Sequence, residues 1–267
     1  MTERSFETIK VQRDGRCVVI TLARPDQLNV LDPQMLRELI TAATDAADSD
    51  TNVIVLRGSG RMFCAGVDLD TRYFMEDMPD DSAFAGMHSL DEQHELISVL
   101  HELPVVSIAS VNGDAIGGAG FGMALACDLR YAVRSARFWL VAGQFGAVQD
   151  YGLSWFLRRD IGVSRTIELA FTGRRVDAAT GEDWGFLNGV LDTRDALAAH
   201  VDEVAQGIAG MGPDAARMLK HVIRAGRGNT LGDQLKLESV ANALCFSSEE
   251  FSAAKDLLRQ RLGKGTT

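Results

Sequence analysis

Short apolar, β-branched runs alternate with helical patterns along the first half of the chain. Cys17 to Leu22 and Val53 to Arg57 are typical of strands, and Met35 to Ala47 between them carries apolar residues at helical spacing. Asp32 is a predicted N-cap and Pro33 suits a first helical turn, so the start of this helix is well marked. The alternation predicts an α/β fold.

A second set of strands and helices follows an acidic segment. Residues Tyr73 to Gly86 are predicted to form a long loop, either a lid or binding loop or a surface insertion. A helix is expected from about Leu90 to Leu103, followed by a strand from Val105 to Val111. A Gly-rich turn then leads into a helix that ends near Cys127, and Leu129 to Val133 is predicted as the next strand.

From Ser164 onward the pattern predicts helices only. No linker rich in Pro, Gly or Ser marks a domain boundary, but the composition shifts near Gly210 to Pro213. We therefore predict an α/β core of residues 1–210 and a helical region of residues 211–267. The expected helices are Ser164 to Phe171, Ala196 to Ile208, Asp214 to Ala225, Leu231 to Phe246 and Glu249 to Leu262.

Composition and charge restrict the function classes. A chain of 267 residues, 46% hydrophobic and 24% charged, can bury a large core. A net charge of -10 argues against a general binder of nucleic acid or anionic membranes. There is no apolar run of about 18 residues and no signal-peptide pattern, so we expect a cytoplasmic protein without a membrane partner. Its four cysteines are far apart and predict neither a disulfide framework nor a zinc site.

Two Gly-rich segments carry the candidate chemistry. Cys64 to Leu69 lies shortly after one predicted strand, and glycines there allow backbone N–H groups to face outward. Asn112 to Gly122 follows the next strand and opens a helix, whose first N–H groups are unpaired. Either segment alone is weak evidence, and the spacing of Gly117, Gly118 and Gly120 is not the dinucleotide fingerprint. Together they predict a backbone oxyanion hole.

The pairing of these segments resembles the enoyl-CoA hydratase/isomerase (crotonase) superfamily. The likeness extends over Arg24 to Asn29, Phe63 to Leu69, Pro104 to Asp128, Phe171 to Gly173, and Trp184 to Gly185. The resemblance implies a spiral of ββα units with a C-terminal helical trimerisation region, and a homotrimer or a dimer of trimers. It also implies an acyl-CoA substrate held between the two Gly-rich segments. Coenzyme A would then be part of the substrate, with no separate cofactor.

The resemblance also assigns the oxyanion donors and the residues near CoA. The donors are the N–H of Val67 and that of either Gly118 or Ala119. Counting from Asn112 selects Gly118 and counting back from Asp128 selects Ala119, because this segment is one residue longer than the usual pattern. The residues implied near CoA are Arg24, Gln27, Leu28, Ala65, Asp68, Leu69 and, in the last helix, Lys255 or Arg259.

The chain departs from similar hydratases at their two glutamates. The first position is Phe121 or Gly122 and the second is Ala142, and none of these ionises. Asp150 matches the position at which similar isomerases and a dehalogenase carry an acid, so it is the catalytic candidate. The alternative is that Asp150 caps the helix beginning near Gly152. A nucleophilic role is disfavoured, because the sequence shows none of the aromatic and polar partners that a nucleophile needs.

These residues lead to one preferred function and two alternatives. The preferred function is double-bond isomerisation of an enoyl-CoA, with Asp150 moving the proton. The alternatives are hydration by non-standard residues and a catalytically silent CoA-binding protein.

Three histidines suggest a metal site at first sight. His88, His94 and His101 are spaced by six and seven residues, which does not match H-E-x-x-H. We therefore expect them to be solvated or at an interface, and we predict no metal.

Overall fold

The structure is a computed structural model that describes residues 2–48, 50–69 and 83–263. It comprises two compact units, Met1–Ala209 and Gly210–Thr267. The loop predicted for Tyr73 to Gly86 lies mostly outside the described residues, and its last four residues belong to a helix. None of the helices in these ranges is both long and apolar enough to span a bilayer.

The strands and helices alternate through the first unit. The strands are β1 (Thr2–Ser5), β2 (Ile9–Asp14), β3 (Cys17–Leu22), β4 (Val53–Gly58), β5 (Val106–Val111), β6 (Ala115–Ile116), β7 (Leu129–Val133), β8 (Arg137–Trp139), β9 (Val176–Asp177) and β10 (Gly189–Leu191). The helices of this unit are α1 (Pro33–Ala46), α2 (Ala83–Glu102), α3 (Met123–Ala126), α4 (Leu153–Asp160), α5 (Val163–Thr172), α6 (Ala178–Trp184) and α7 (Arg194–Ala209). The second unit contains α8 (Pro213–Ala225), α9 (Leu231–Phe246) and α10 (Glu249–Gly263).

The strands of the first unit form two sheets. The larger sheet has the order β1-β2-β3-β4-β5-β7-β10 and the smaller one the order β6-β8-β9. In the larger sheet β1, β2 and β3 pair antiparallel, and all pairs from β3 to β10 are parallel. Parallel bridges between Leu31 and Val67 and between Cys64 and Ala115 link successive loops. Each turn of the chain thus adds a strand to the larger sheet and a loop that is bridged to the loop before it. This repeat confirms the predicted spiral of ββα units.

The central strands are buried on both faces. Residues Val53 to Leu56 of β4 are all buried, as expected for parallel strands covered on both sides. The helix α7 packs across β3, β4, β5, β7 and β10, while α1 and α3 also contact the sheet. Because helices cover the faces, a ligand is expected outside the carboxyl ends of the parallel strands.

Most of the predicted elements are confirmed, with differences at two places. The helix α2 begins at Ala83 rather than near Leu90, so Gly86 lies inside a helix, where it costs about 1 kcal/mol relative to alanine. The region after Ser164 is not helical throughout, because β9 and β10 interrupt it and β10 pairs with β7. Strands of two or three residues show too little alternation to be recognised from sequence.

Candidate active site

Three loops leave the same edge of the large sheet. They follow β3, β4 and β5, which are neighbouring parallel strands, so their carboxyl ends meet at one edge. The first loop is residues 23–32, the second residues 59–69 and the third residues 112–117. All the segments predicted to touch the substrate from the first unit, apart from Asp150, lie in these loops or in the helical turn that follows the third.

Asn29 joins the first loop to the second. Its side chain is fully buried, and the amide Nδ2 donates to the carbonyl oxygens of Ser59, Met62 and Phe63 at 2.9, 3.0 and 3.2 Å. Its Oδ1 accepts from the N–H of Arg24 at 3.0 Å. One amide therefore satisfies polar groups of both loops. We did not single out Asn29 from sequence, although its left-handed backbone (φ 54) is a position that asparagine tolerates better than most residues.

The second and third loops are also joined. Asn112 Oδ1 accepts from the N–H of Gly58 at 3.1 Å, and the N–H of Ile116 donates to the Cys64 carbonyl at 3.0 Å. Arg194 at the start of α7 donates to the carbonyl oxygens of Asn112 and Arg61 at 2.9 and 2.8 Å. The two Gly-rich segments are thus held in one fixed arrangement, to which Arg194 contributes from a distant part of the chain.

The predicted oxyanion N–H groups are available. Those of Val67, Gly118 and Ala119 have no hydrogen-bond partner within the described residues. Val67 is flanked by backbone bonds on both sides, since Leu31 donates to the Gly66 carbonyl and Asp68 donates to the Leu31 carbonyl, both at 2.8 Å. A fixed, unpaired N–H is what the stabilisation of a developing oxyanion requires.

The third loop enters a helix through an unusual turn. Gly118–Gly122 is a π-helical turn, which then continues as α3. A π-turn accommodates one more residue than an α-helical turn and is frequent at functional sites. The segment from Asn112 to Asp128 is one residue longer than the usual pattern, and this turn accommodates the additional residue after Gly118.

Asp150 lies directly beside Gly118. A Cβ atom on Gly118 would clash with the Asp150 Oδ1 atom and with the Tyr151 ring, so the carboxylate is packed on the Cα of that glycine. The geometry does not support the capping alternative, because the N-cap of α4 is Gly152 and no side chain caps that helix. Asp150 is therefore brought to the second Gly-rich segment.

Burial dominates the electrostatics of Asp150. Desolvation raises the pKa of this carboxyl above its usual value, while its own backbone N–H and the charge of His94 lower the pKa by less. Tyr151 follows in a left-handed conformation (φ 49), fully buried, with its hydroxyl donating to Gln93 Oε1 at 2.6 Å. This buried tyrosine anchors the sharp turn that carries Asp150.

The positions that correspond to the hydratase glutamates hold no ionisable group. Phe121 is fully buried and its ring packs on those of Phe138 and Phe186, with centroid distances of 4.9 and 5.4 Å. Gly122 packs against Tyr151, where a Cβ would lie 2.7 Å from the Tyr151 carbonyl oxygen. Ala142 begins a short 3-10 helix, Ala142–Phe145. Among the described residues, Asp150 brings a carboxylate against the Gly-rich turn.

The residues predicted near CoA differ in their surroundings. Arg24 pairs with Asp32 at 2.9 Å and with Asp68 at 3.4 Å, so its charge is already balanced within the loops. Leu69 is 74% exposed, and Ala65 donates its N–H to the Leu28 carbonyl at 3.1 Å. Gln27 ends the short 3-10 helix Pro25–Gln27, and Lys255 is exposed on α10 of the second unit.

The side chains of His94 and His101 on α2 are half-buried and make ring contacts, whereas that of His88 lies outside the described side chains. The His94 ring packs edge-on against Tyr151 at a centroid distance of 5.8 Å. The His101 ring packs on Trp155 and Phe156 at 5.2 and 5.3 Å. The first contact joins α2 to the turn before α4 and the second joins α2 to α4, which sequence spacing within α2 could not reveal. No group of three or more potential metal ligands occurs among the described side chains.

Comparison with known proteins identifies the family of this chain. The family pattern described as Enoyl-CoA hydratase/isomerase matches residues 12–258. The 1,2-epoxyphenylacetyl-CoA isomerase of Escherichia coli is 32% identical over 235 residues, covering 88% of each chain. The crystal structure of an enoyl-CoA hydratase from Bacillus anthracis superposes with a TM-score of 0.87 at 30% identity, covering 96% of this chain and 97% of that one.

A second solved structure was determined with a thioester ligand. A Thermobifida fusca protein in complex with acetoacetyl-CoA matches with a TM-score of 0.81 at 29% identity, covering 90% of this chain and 95% of that one. These similar proteins are named as hydratases in some cases and as an isomerase in another. The match spans nearly the whole chain and includes both Gly-rich segments, and the protein therefore belongs to the enoyl-CoA hydratase/isomerase family.

Proposed function

We propose that this member of the family isomerises the double bond of an enoyl-CoA, with Asp150 as the proton-transfer group. The observation that carries the proposal is the buried Asp150 carboxylate packed on Gly118. The positions of the two hydratase glutamates hold only Phe121 or Gly122 and Ala142. One acid that removes a proton and returns it suits isomerisation, whereas adding water normally requires a second acid–base group.

The thioester oxygen accepts hydrogen bonds from the N–H groups of Val67 and Gly118. We favour Gly118 over Ala119, because the additional residue of this segment fits the π-turn after Gly118 and leaves the count from Asn112 unchanged. Removal of a proton beside the thioester places negative charge on its oxygen. Each preorganised donor in a water-excluded site lowers the barrier by about 3–4 kcal/mol.

Asp150 then acts as base and acid in succession. Its raised pKa brings the carboxylate closer to the pKa of a carbon acid activated by the oxyanion hole, which improves proton transfer in both directions. The proton leaves one carbon of the acyl chain, a dienolate forms, and the same proton is returned to another carbon. In this scheme coenzyme A is part of the substrate and no separate cofactor takes part.

Substrate binding is proposed to use the three loops at the sheet edge. We propose that the backbone around Leu28, Ala65 and Leu69 contacts the CoA part of the substrate, as the resemblance implies. Because Arg24 is paired with Asp32 and Asp68, we assign it mainly to holding the loops together. The ligand of the Thermobifida fusca relative, acetoacetyl-CoA, is of the proposed substrate class.

We further propose that the protein assembles as a homotrimer. Val163, Ile167 and Phe171 form an exposed apolar stripe on α5. The helix α9 exposes Leu231, Leu235, Val240, Leu244 and Phe246, and Ala241 is its one buried residue among those described. Exposed apolar surfaces of this extent are typical of protein interfaces.

The activity is tested with enoyl-CoAs that differ in double-bond position. The protein is expected to interconvert 3-enoyl-CoA and 2-enoyl-CoA, followed by ultraviolet absorbance, and to exchange acyl-chain protons in deuterium oxide. Asp150→Asn should lower both rates by about 10²–10⁴-fold. The control Asp183→Asn, an exposed aspartate on α6, should retain them. Full activity in Asp150→Asn would exclude the proposed role, formation of a 3-hydroxyacyl-CoA would indicate a hydratase, and binding without turnover would indicate a silent member.

A further inference from the structure

A buried hydrogen bond joins α2 to the turn that carries Asp150. The hydroxyl of Tyr151 donates to Oε1 of Gln93 at 2.6 Å. Tyr151 is fully buried and Gln93 is 1% exposed, so water does not compete for either group. The separation lies within the normal range for an O–H···O bond. The bond therefore fixes the end of the Tyr151 side chain relative to α2.

The backbone conformation of Tyr151 requires such support. Its φ of 49° lies in the left-handed region, which bulky side chains rarely adopt. A strained residue of this kind persists only where the surrounding structure holds it, and such residues cluster at functional sites. Without its partner on α2, the turn is expected to relax and to move the adjacent carboxylate of Asp150.

Tyr151 also packs on the second Gly-rich segment. A Cβ on Gly118 would clash with the tyrosine ring, and a Cβ on Gly122 would lie 2.8 Å from the Cβ of Tyr151. These van der Waals contacts limit how far the tyrosine can move, but they do not select one orientation. The hydrogen bond to Gln93 is directional. The bond thus sets the orientation of the tyrosine within this space.

We propose that Gln93 is a positioning residue for proton transfer, which holds the Asp150 carboxylate in place through the Tyr151 hydroxyl. This inference rests on the proposed role of Asp150 and adds a residue that acts on it from α2. Tyr151 and Asp150 are consecutive, and both pack on Gly118, so movement of the tyrosine displaces the carboxylate. Displacement of a reacting group by about 1 Å typically lowers a rate about 10²-fold, so loss of this bond has a measurable effect on turnover.

Two variants of the full chain remove this bond with little change of shape. Gln93→Leu removes the acceptor, and Tyr151→Phe removes the hydroxyl but keeps the ring. Each is expected to lower kcat for enoyl-CoA isomerisation about 10- to 100-fold. The affinity for butyryl-CoA, measured by isothermal titration calorimetry, should change by less than about threefold, because the loops proposed to bind CoA are unaltered. A parallel loss of binding would show that the bond only supports the fold, and it would overturn the proposal.

The double variant tests whether the two residues act as one unit. Because each single change removes the same bond, Gln93→Leu combined with Tyr151→Phe should lower kcat no further than the more damaging single variant. Multiplied effects would show that the two side chains act separately, contrary to the proposal. The matched controls are Gln206→Leu, exposed on α7, and Tyr131→Phe, whose ring packs edge-on against His200 at 4.7 Å. Both controls should keep kcat.

The surroundings of the carboxylate are also measurable without turnover. Burial raises the pKa of Asp150 above its ordinary value, and the charge of His94 lowers the pKa by less. A relaxed turn exposes the carboxylate to water, so NMR titration of ¹³C-labelled aspartate should show a pKa closer to 3.8 in both variants, which keep His94. Asp150→Asn identifies the signal.

This measurement separates the positioning role from the proposed reaction. A pKa of Asp150 that falls in both variants of a protein without isomerase activity would reject the reaction and retain the positioning role. An unchanged pKa and an unchanged kcat in both variants of an active enzyme would reject the positioning role alone.

Discussion

Asp150 shows at the scale of one residue how location changes the chemistry of a common side chain. It precedes Tyr151 and Gly152, both in left-handed conformations, and this turn brings the carboxylate against Gly118 instead of the N-terminus of α4. An aspartate capping a helix has a lowered pKa, whereas burial raises the pKa of Asp150. Asp32 and Asp177 are the N-caps of α1 and α6, whereas Asp150 lies two residues before the N-cap of α4 and packs on Gly118 instead.

Asp150→Asn is expected to stabilise the fold at neutral pH. Because the pKa of Asp150 is raised above its ordinary value of 3.8, the folded state binds the proton more tightly than the unfolded state. Stability from this group is therefore present below pH 3.8 and lost as pH rises through the folded pKa. The asparagine variant avoids this loss, so its melting temperature at pH 7 should exceed that of the unmodified protein by about 1–3 °C.

Differential scanning fluorimetry from about pH 3.5 to 8 would measure the effect. The gain should disappear at the acid end of the range, where Asp150 is protonated in both states. Asp183→Asn on the exposed face of α6 should show no gain at any pH. A less stable Asp150→Asn protein at pH 7 would contradict the assignment of burial as the dominant influence on this group.

Gly118→Ala is expected to disrupt the site through a single methyl group. The new Cβ would collide with Asp150 Oδ1 and the Tyr151 ring, and both would have to move. Displacement by about 1 Å typically costs 10²-fold in rate, and overpacking of this kind costs about 1–3 kcal/mol of stability. Isomerisation rates and urea unfolding would measure the two effects.

The matched control for this change is Gly207→Ala in α7. A Cβ there would meet nothing within 4 Å, and alanine is the better helix former. This variant should keep its activity and unfold with a free energy equal to, or about 0.5–1 kcal/mol above, that of the unmodified protein. If Gly118→Ala behaved like Gly207→Ala, the close approach of Asp150 to Gly118 would be wrong.

At the scale of elements, the loops are held more firmly than loops usually are. The N–H groups proposed to hold the oxyanion would have to stay fixed while charge develops on the substrate, and polar side chains supply this rigidity. Asn29, Asn112 and Arg194 bond to the backbone of these loops from three separate elements. The glycines supply access to the N–H groups, and the polar side chains around them supply rigidity.

Asn29→Ala is expected to lower both stability and activity. The change leaves the carbonyl oxygens of Ser59, Met62 and Phe63 without their shared donor and places alanine at a positive φ. We expect a loss of about 2–4 kcal/mol in the free energy of unfolding. The rate should fall in parallel, because these carbonyl groups belong to the second loop, which carries Val67. Urea unfolding and isomerisation kinetics would measure both.

Two further variants complete this test. Asn29→Asp should not restore stability, because an ionised carboxylate cannot donate to carbonyl oxygens. Asn242→Ala, at an exposed position of α9, should cost less than about 0.5 kcal/mol. Unchanged unfolding of Asn29→Ala would show that the buried amide does not hold the loops together.

At the scale of the whole molecule, the exposed apolar helix faces predict association of copies. Phe171→Glu and Leu244→Glu each place a charge at an exposed apolar position, one on α5 and one on α9. Multi-angle light scattering should show three chains for the unmodified protein and smaller species for at least one variant, since a buried unpaired charge weakens an interface. Ala199→Glu, exposed on α7, should remain trimeric. A monomeric unmodified protein at micromolar concentration would refute the assembly.

The sequence by itself determined the main elements and the kind of chemistry. Periodicity predicted β3, β4, β5, β7, α1 and the helices of the second unit, because long apolar patterns record which face of an element is buried. The Gly-rich segments predicted the oxyanion N–H groups, because glycine permits backbone conformations that other residues avoid. Asp150 was identified by its position in a resemblance, with helix capping as an alternative.

Only the tertiary structure decided how these parts act together. The ion pairs of Arg24, the buried amide of Asn29, the packing of His94 on Tyr151 and the π-turn at Gly118 all depend on contacts between distant parts of the chain. Local pattern records whether a residue is buried, but not which neighbour it meets, because that depends on the order of strands in the sheet. The Asp150 carboxylate and the Gly-rich turn at Gly118 therefore meet only in the folded chain.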